Sequence, residues 1–274
     1  VAVSIGAGFL AGVAMFGAIT FVPFFAQGAL GATATEAGSL LTPLMLSWVG
    51  MAVIGGRLLL RVGYKPTSVV GFILLTAGLA LLANFNRDTR RIWLYLDLIM
   101  IGAGLGLTML TLLIAVQQAV PRAQLGIATS LNQFFRSIGG AVGVAVMGTV
   151  LSAGLTSYLS DFASRNPQAL APQRAAELAA NPNALIEPAA RATLTPTALD
   201  ALQSAFASAI HNVFWVATVV SALALLASFA LPREGDAGAS PPPPEEACST
   251  EQGERLVATE LTTFDPEHEP VEQV

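Results

Sequence analysis

The sequence predicts an all-α fold in which a polytopic bundle of transmembrane helices forms one domain. Hydrophobic residues make up 54% of the 274 residues and charged residues only 11%, whereas charged residues are about 25% of a typical soluble domain. The apolar residues also occur in blocks that reach the roughly 20 residues needed to cross a bilayer. Each block is predicted to be a helix, because backbone polar groups in hydrocarbon must be satisfied within the segment.

Six apolar blocks follow one another within residues 1–231. They predict spans at residues 5–25, 37–60, 67–85, 92–116, 126–155 and 206–231. The segment 156–205 carries five prolines, which exclude another spanning helix there. It is predicted to be a long loop with short helices.

Charge divides the chain into two parts. From Arg233 onward there are eleven acidic and two basic residues, and the preceding 232 residues hold seven acidic and eleven basic residues. Residues 232–274 contain a run of four prolines and few apolar residues, and are predicted to be an acidic disordered tail. This tail would repel nucleic acid, and no basic aromatic patch elsewhere predicts nucleic-acid binding.

The first predicted span has a face of mixed aromatic and polar character. At helical spacing, this face holds Phe16, Thr20, Phe24 and Gln27. Aromatic rings of this kind can line an apolar cavity and favour lipophilic cations by stacking and cation–π contact. The alternative is that the phenylalanines face lipid or a neighbouring helix.

The second predicted span begins with a helix-capping pattern and ends in a basic segment. Thr33 and Glu36 match a capping box, with Glu36 as a surface cap. Residues 55–66 carry cations and a Gly-Tyr-Lys-Pro turn, which predicts a short loop on the cytoplasmic side.

The fourth predicted span has a polar stripe and a packing stripe on opposite sides. The polar stripe comprises Asp97, Gly104, Thr108, Thr111 and Gln118. Gly102 and Gly106 form a Gly-xxx-Gly step, which lets another helix approach closely. Two stripes of this kind favour a position inside the bundle.

Asp97 is the only acidic residue within the six predicted spans. One interpretation is a proton site or a cation-attracting group, since intramembrane carboxylates often serve proton relays. The other is an interfacial aspartate that is paired with Arg90 or Arg91.

The fifth predicted span separates small and polar residues from large apolar ones. Its polar face comprises Asn132, Arg136, Gly139, Gly143 and Met147, and its apolar face Phe134, Ile138 and Val142. The glycine-lined face is predicted to pack on protein and the aromatic face on lipid. Arg136 either pairs with an acid outside this chain, or snorkels to headgroups or binds a backbone carbonyl.

The order and spacing of several motifs resemble one family. The motifs are Phe21-Val-Pro-Phe-Phe-Ala-Gln27, Gly56-x-x-x-x-Arg61-x-Gly63-x-Lys65, Gly102-x-Gly-x-Gly106, Gln118-x-x-Pro121, Gly126-x-Ala-Thr-Ser130 and Arg136-x-x-Gly-Gly-x-x-Gly143. Together they resemble the C-terminal half of the fourteen-helix drug:proton antiporters (EmrB/QacA type) of the major facilitator superfamily. Leu60 stands where the family's loop signature has an aspartate, which puts a gating role of that loop in doubt.

The resemblance implies a secondary transporter in a bacterial inner or plasma membrane that exports lipophilic or cationic compounds in exchange for protons. It implies a cytoplasmic position for the loops at Arg61 and Pro121 and for the tail, and an outer position for residues 156–205. Phe16, Thr20, Phe24, Gln27, Thr108, Thr111, Asn132 and Arg136 become candidates for the substrate pathway, and Asp97 for proton coupling. The energy source would be the proton gradient, with no cofactor or metal.

Two features bear on what else the chain does. The first residue, Val1, already lies in an apolar segment, so we expect an N-terminal half of the same transporter to be missing and to be a partner, together with membrane lipid. The alternatives are a truncated or split membrane module without transport of its own, a transporter for a different solute and, more remotely, a membrane enzyme. Sequence motifs of metalloproteases and nucleotide-binding loops are absent, which argues against an enzyme.

Overall fold

The computed structural model describes residues 2–85, 90–166, 171–180 and 196–230, and the structural statements below concern these residues. They form eight α-helices and a single 3-10 turn at Arg122–Gln124, with no strand. The helices are α1 (Ala2–Gly28), α2 (Ala34–Ser39), α3 (Leu41–Val62), α4 (Tyr64–Ala83), α5 (Arg91–Gln118), α6 (Leu125–Arg165), α7 (Pro172–Ala180) and α8 (Pro196–Phe229). The predicted tail at residues 232–274 lies outside the described residues.

Six helical segments are long and apolar enough to cross a membrane, which confirms the predicted fold class. Helix α1 packs along α6 and α8, and α5 packs along α3 and α4. The contact between α4 and α8 joins these two groups. Four helices thus follow one another in an arc, in the order α6, α8, α4 and α5. Helix α1 lies on the inner side of this arc, where it contacts α5, α6 and α8.

The connection between α3 and α4 is shorter than predicted. The expected loop at residues 55–66 is wrong, because Gly56 and Arg61 lie in α3 and Lys65 lies in the first turn of α4. Gly63 alone separates the helices, with a φ of 89° that side-chain-bearing residues rarely adopt. Thr67 donates a hydrogen bond of 2.8 Å from Oγ1 to the Gly63 carbonyl, which holds the sharp turn.

Gly63→Ala is therefore expected to destabilise the protein by about 1–3 kcal/mol, the cost of a side chain in a backbone region that is nearly restricted to glycine. Gly56→Ala is the matched control, because a Cβ there would meet only Leu110 at 3.5 Å, an ordinary contact. Thermal unfolding in detergent measures both variants. Equal midpoints for the two would contradict the role of Gly63.

The segment after the fifth predicted span is also more helical than predicted. Helix α6 continues past Leu155 to Arg165, and α8 begins at Pro196 rather than near residue 206. Leu155, Leu159 and Ala163 continue the buried face of α6, and packing of an apolar face is what extends a helix beyond a hydrocarbon-length span. The prediction that residues 156–205 form a loop is thus wrong at both ends, while the short helix α7 lies within it.

The capping box before α2 is confirmed. Thr33 Oγ1 accepts from the Glu36 backbone N–H at 3.2 Å, and the Thr33 backbone N–H donates to Glu36 Oε2 at 2.9 Å. Glu36 itself is exposed. The cap satisfies donors that the first turn of a helix otherwise leaves without partners.

Candidate functional site

One side of α1 is left partly uncovered by the other described helices. The fully buried side of this helix carries Ala11, Ala14, Ala18 and Val22. Phe16, Thr20, Phe24 and Gln27 lie on another side and are only half-buried. We call this side the open face. It carries two aromatic rings together with one hydroxyl and one amide. Binding cavities for small molecules combine apolar surface with a few polar groups in this way.

Arg136 bridges the two ends of the helical arc around α1. It projects from α6, and its Nη1 lies 3.0 Å from the sulfur of Met109 on α5. Its Nη2 donates to the side chain of Gln133 on its own helix. The backbone carbonyl of Arg136 lies directly against Gly12 of α1, and the Arg136 Cγ is 3.1 Å from where a Cβ on Gly12 would stand. Arg136 therefore lies at the junction of three helices, with its backbone on α1 and its guanidinium beside α5.

Arg136 lies deep in the bundle along all three helices. It is eleven residues after the start of α6, Gly12 is ten residues after the start of α1, and Met109 is nine residues before the end of α5. At about 1.5 Å per residue these separations are about 14–17 Å. Arg136 is therefore about three turns from the nearest end of each of these helices.

Asn132 lies one turn before Arg136 on the same face of α6. Its side chain is 3% exposed, and Oδ1 has no hydrogen-bond partner among the described residues. This oxygen faces α1, 2.8 Å from where a Cβ of Gly8 would be. Gly8 and Gly12 thus form a Gly-xxx-Gly step that admits the Asn132 side chain and the Arg136 backbone of α6. This spacing is present in the first predicted span and was not among the predicted packing motifs.

Asp97 lies at the interface of α5 and α4, far from Arg136. Its side chain is 3% exposed, and neither carboxylate oxygen has a hydrogen-bond partner in the described part of the chain. Oδ1 is 3.5 Å from the position of a Cβ on Gly78 of α4. Arg90 and Arg91 are exposed and do not bond to it, so the predicted alternative of an interfacial ion pair is wrong.

The two threonines of the predicted polar stripe turn inward. Thr108 and Thr111 are almost completely buried. Thr108 Oγ1 donates to the Gly104 carbonyl at 2.9 Å, and Thr111 Oγ1 donates to the Leu107 carbonyl. Thr108 also contacts Gly71 of α4. Both hydroxyls are therefore satisfied within α5, and neither reaches the open face.

Comparison with known proteins assigns the family. The profile described as Major Facilitator Superfamily matches residues 2–144, which is more than half of the chain. The chain belongs to the major facilitator superfamily. The match runs from α1 into the first half of α6, and so includes the open face, Asp97 and Arg136.

Several relatives of this chain carry names that state drug transport or drug resistance. The Multidrug transporter protein MdtP of Bacillus subtilis (strain 168) is 34% identical over 232 residues, covering 79% of this chain and 43% of that protein. Multidrug resistance protein 3 of the same organism is 31% identical and covers 74% and 40%, respectively. The Tetracycline resistance determinant of Streptomyces rimosus is 30% identical and covers 56% and 45%. The chain thus spans about two fifths of the length of these relatives.

Glycines bring helices of this bundle into close contact at two similar interfaces. On α6, Gly139 lies against the backbone carbonyl of Phe9, and a Cβ on Gly143 would lie 2.7 Å from Val13 Cγ1. On α5, Gly102 lies against the backbone carbonyl of Leu44, and a Cβ on Gly106 would lie 2.5 Å from the Trp48 carbonyl oxygen. Each glycine thus lets two helix backbones touch, the geometry in which small residues replace the hydrophobic drive that lipid removes.

Metal chemistry has no support in the described ranges. They contain no group of three or more His, Cys, Asp or Glu side chains that could hold a metal ion. His211 is engaged otherwise, since Trp215 Nε1 donates to its Nε2 at 3.1 Å and its Nδ1 contacts the Ala83 carbonyl of α4. This histidine ties α8 to the end of α4.

Proposed function

We propose that this chain forms the C-terminal six helices of a fourteen-helix drug:proton antiporter. The observation that carries the proposal is the likeness to the two Bacillus subtilis proteins whose names state multidrug transport or resistance, over about three quarters of the chain. In this proposal the α3–α4 turn at Gly63, the loop at Pro121 and the tail are cytoplasmic, and residues 156–205 are outside.

The open face supports a substrate pathway between this bundle and a second one. Phe16, Thr20, Phe24 and Gln27 are half-buried on a helix whose opposite side is closed by packing. An N-terminal bundle placed against this face would enclose a site near the middle of the membrane. Rocking of the two bundles around that site would then give alternating access. Thr108 and Thr111 are not part of the proposed pathway, because other helices cover them.

Asp97 supports proton coupling. A buried carboxylate without partners is costly when ionised, and intramembrane acids of this kind commonly mark proton pathways. The charged residues of α3 and α4, the helices that pack along α5, are Arg57 and Arg61 near the end of α3, and Lys65 at the start of α4. The charged residues of α6, which touches α5 near Met109, are Arg136, Asp161 and Arg165. Asp97 lies near the opposite ends of α3 and α4, beside Gly78. A proton is therefore the simplest partner for this group.

Proton movement driven by substrate tests the proposal. The protein expressed from its complete gene is placed in inverted membrane vesicles, a pH gradient is imposed, and ethidium is added while the lumenal pH is followed. Dissipation of the gradient on addition is the expected result, with vesicles lacking the protein as control. An unchanged gradient, with intact protein in the membrane, would reject drug:proton antiport and favour another solute or a module that does not transport.

A further inference from the structure

Arg136 has no countercharge in the part of the chain that the structure describes. The acidic residues there are Glu36, Asp97, Asp161, Glu177 and Asp200. Asp97 is the buried one among them, and it is twelve residues before Met109 on α5, or about 18 Å along the helix axis. Asp161 is paired with Arg165 at 2.9 Å. The guanidinium instead contacts a thioether and a neutral amide.

A guanidinium inside a transmembrane bundle is stabilised by an anionic partner. A charged group near the middle of a bilayer is expensive, and such residues pair with one another, line a water-filled cavity or mark a substrate path. Methionine sulfur is only a weak acceptor and leaves most of the five guanidinium donors without strong partners. Carboxylates match the planar fork of an arginine and form paired, charge-assisted hydrogen bonds with it.

The surroundings of Arg136 fit an aromatic acid rather than a simple cation. The ring of Phe16 lies over Gly140, one turn beyond Arg136 on α6, and so an apolar surface adjoins the charge. Gln133, which is exposed, adds a neutral donor and acceptor at the same place. A purely cationic solute at this position would be repelled by the guanidinium at short range.

We propose that Arg136 is a substrate-binding residue that receives a carboxylate, so that the transported compounds include acidic or zwitterionic aromatic molecules. This inference rests on the proposed transport function and narrows its substrate class. It departs from our sequence-based expectation of lipophilic or cationic compounds, because it makes a negatively charged group on the solute favourable.

Equilibrium binding with a matched pair of dyes tests the inference. The first probe is a zwitterionic rhodamine that carries a free benzoate, and the second is its methyl ester, which is a net cation. Fluorescence polarisation reports the binding of each dye. The protein is expressed from its complete gene and purified in detergent. We expect the free acid to bind more tightly than the ester. Arg136→Gln should weaken binding of the acid by about tenfold, equivalent to about 1.4 kcal/mol, and leave the ester unchanged or bound more tightly.

Two further variants complete the experiment. Arg136→Lys keeps the charge and should retain part of the preference for the acid, and Arg122→Gln, at an exposed arginine in the turn before α6, should retain all of it. No preference for the acid in the unmodified protein, or the same preference in Arg136→Gln, would overturn the inference. If the unmodified protein shows no preference for the acid and Arg136→Gln has a lower thermal midpoint, Arg136 pairs with a carboxylate of the protein itself. That result also overturns the inference.

The test is independent of proton coupling. Binding is measured without a pH gradient, so a preference for the free acid that depends on Arg136 stands even if ethidium causes no proton movement. Conversely, ethidium could cause proton movement while the protein shows no preference for the free acid. That result would retain drug:proton antiport and reject acidic or zwitterionic aromatic molecules as the substrate class.

Discussion

Gly139→Ala is expected to destabilise the bundle by about 1–3 kcal/mol, the usual cost of forcing an extra methyl group into close packing. The reason is that Gly139 lies directly against the backbone carbonyl of Phe9 on α1, and a backbone atom cannot move aside as the end of a side chain can. The whole α1–α6 interface must separate to admit the methyl group. A lower thermal midpoint in detergent and a smaller folded fraction in size-exclusion chromatography would record this.

Gly148→Ala on the same helix is the matched control. Nothing lies within 4 Å of a Cβ at Gly148, so this variant should be neutral or more stable by about 0.5–1 kcal/mol, the gain of alanine over glycine inside a helix. The two substitutions are chemically identical and differ in expected sign. Midpoints that move in the same direction would show that close backbone packing at Gly139 is not what holds α6 on α1.

Asp97→Asn is expected to abolish substrate-driven proton movement, down to the level of vesicles that lack the protein. The asparagine side chain has the same shape but cannot exchange a proton, so coupling is lost while the helix interface is kept. The thermal midpoint should remain equal or rise, because the replaced carboxylate is buried without a partner. The pH assay in inverted vesicles and thermal unfolding in detergent measure the two effects separately.

Asp161→Asn provides the comparison for Asp97. Asp161 is exposed and pairs with Arg165, and surface pairs of this kind contribute about 0–1 kcal/mol, so neither assay should change much. Normal proton movement in Asp97→Asn would remove Asp97 from the coupling mechanism. A loss of folded protein in this variant would instead assign the carboxylate a structural role, contrary to the proposal.

The sequence alone predicted the position of some candidate residues and not that of others. The exposed side of α6, with Phe134 and Val142, and its buried side, with Asn132 and Gly143, follow the helical wheel because side-chain direction on a helix repeats with its period. Whether Asp97 has a partner did not follow from the helical wheel. A pattern places a carboxylate on a face, but whether Arg90 or Arg91 reaches it depends on where their backbones and the neighbouring helix lie.

Connections between helices were predicted less well than the helices. Residues 55–66 contain glycine, proline and charges, which are typical of a loop, and yet a single glycine with positive φ makes the turn. Proline is compatible with the first turn of a helix, where its missing N–H is not needed, so Pro66 lies in the first turn of α4 and does not interrupt it. Beyond Leu155, tertiary packing of Leu159 and Ala163 continues a helix that hydrophobic length alone would have ended.

The sequence by itself determined the fold class, the six spans and the glycine-lined faces, because block length, hydrophobicity and helical period are local properties of the chain. Only the tertiary structure decided that Asp97 has no partner in the described residues and that Gly8 and Gly12 admit Asn132 and Arg136 from α6. It also placed the backbone of Arg136 against α1 and its guanidinium beside Met109 of α5. These are facts about distances between segments far apart in sequence, and no periodicity within one segment contains them.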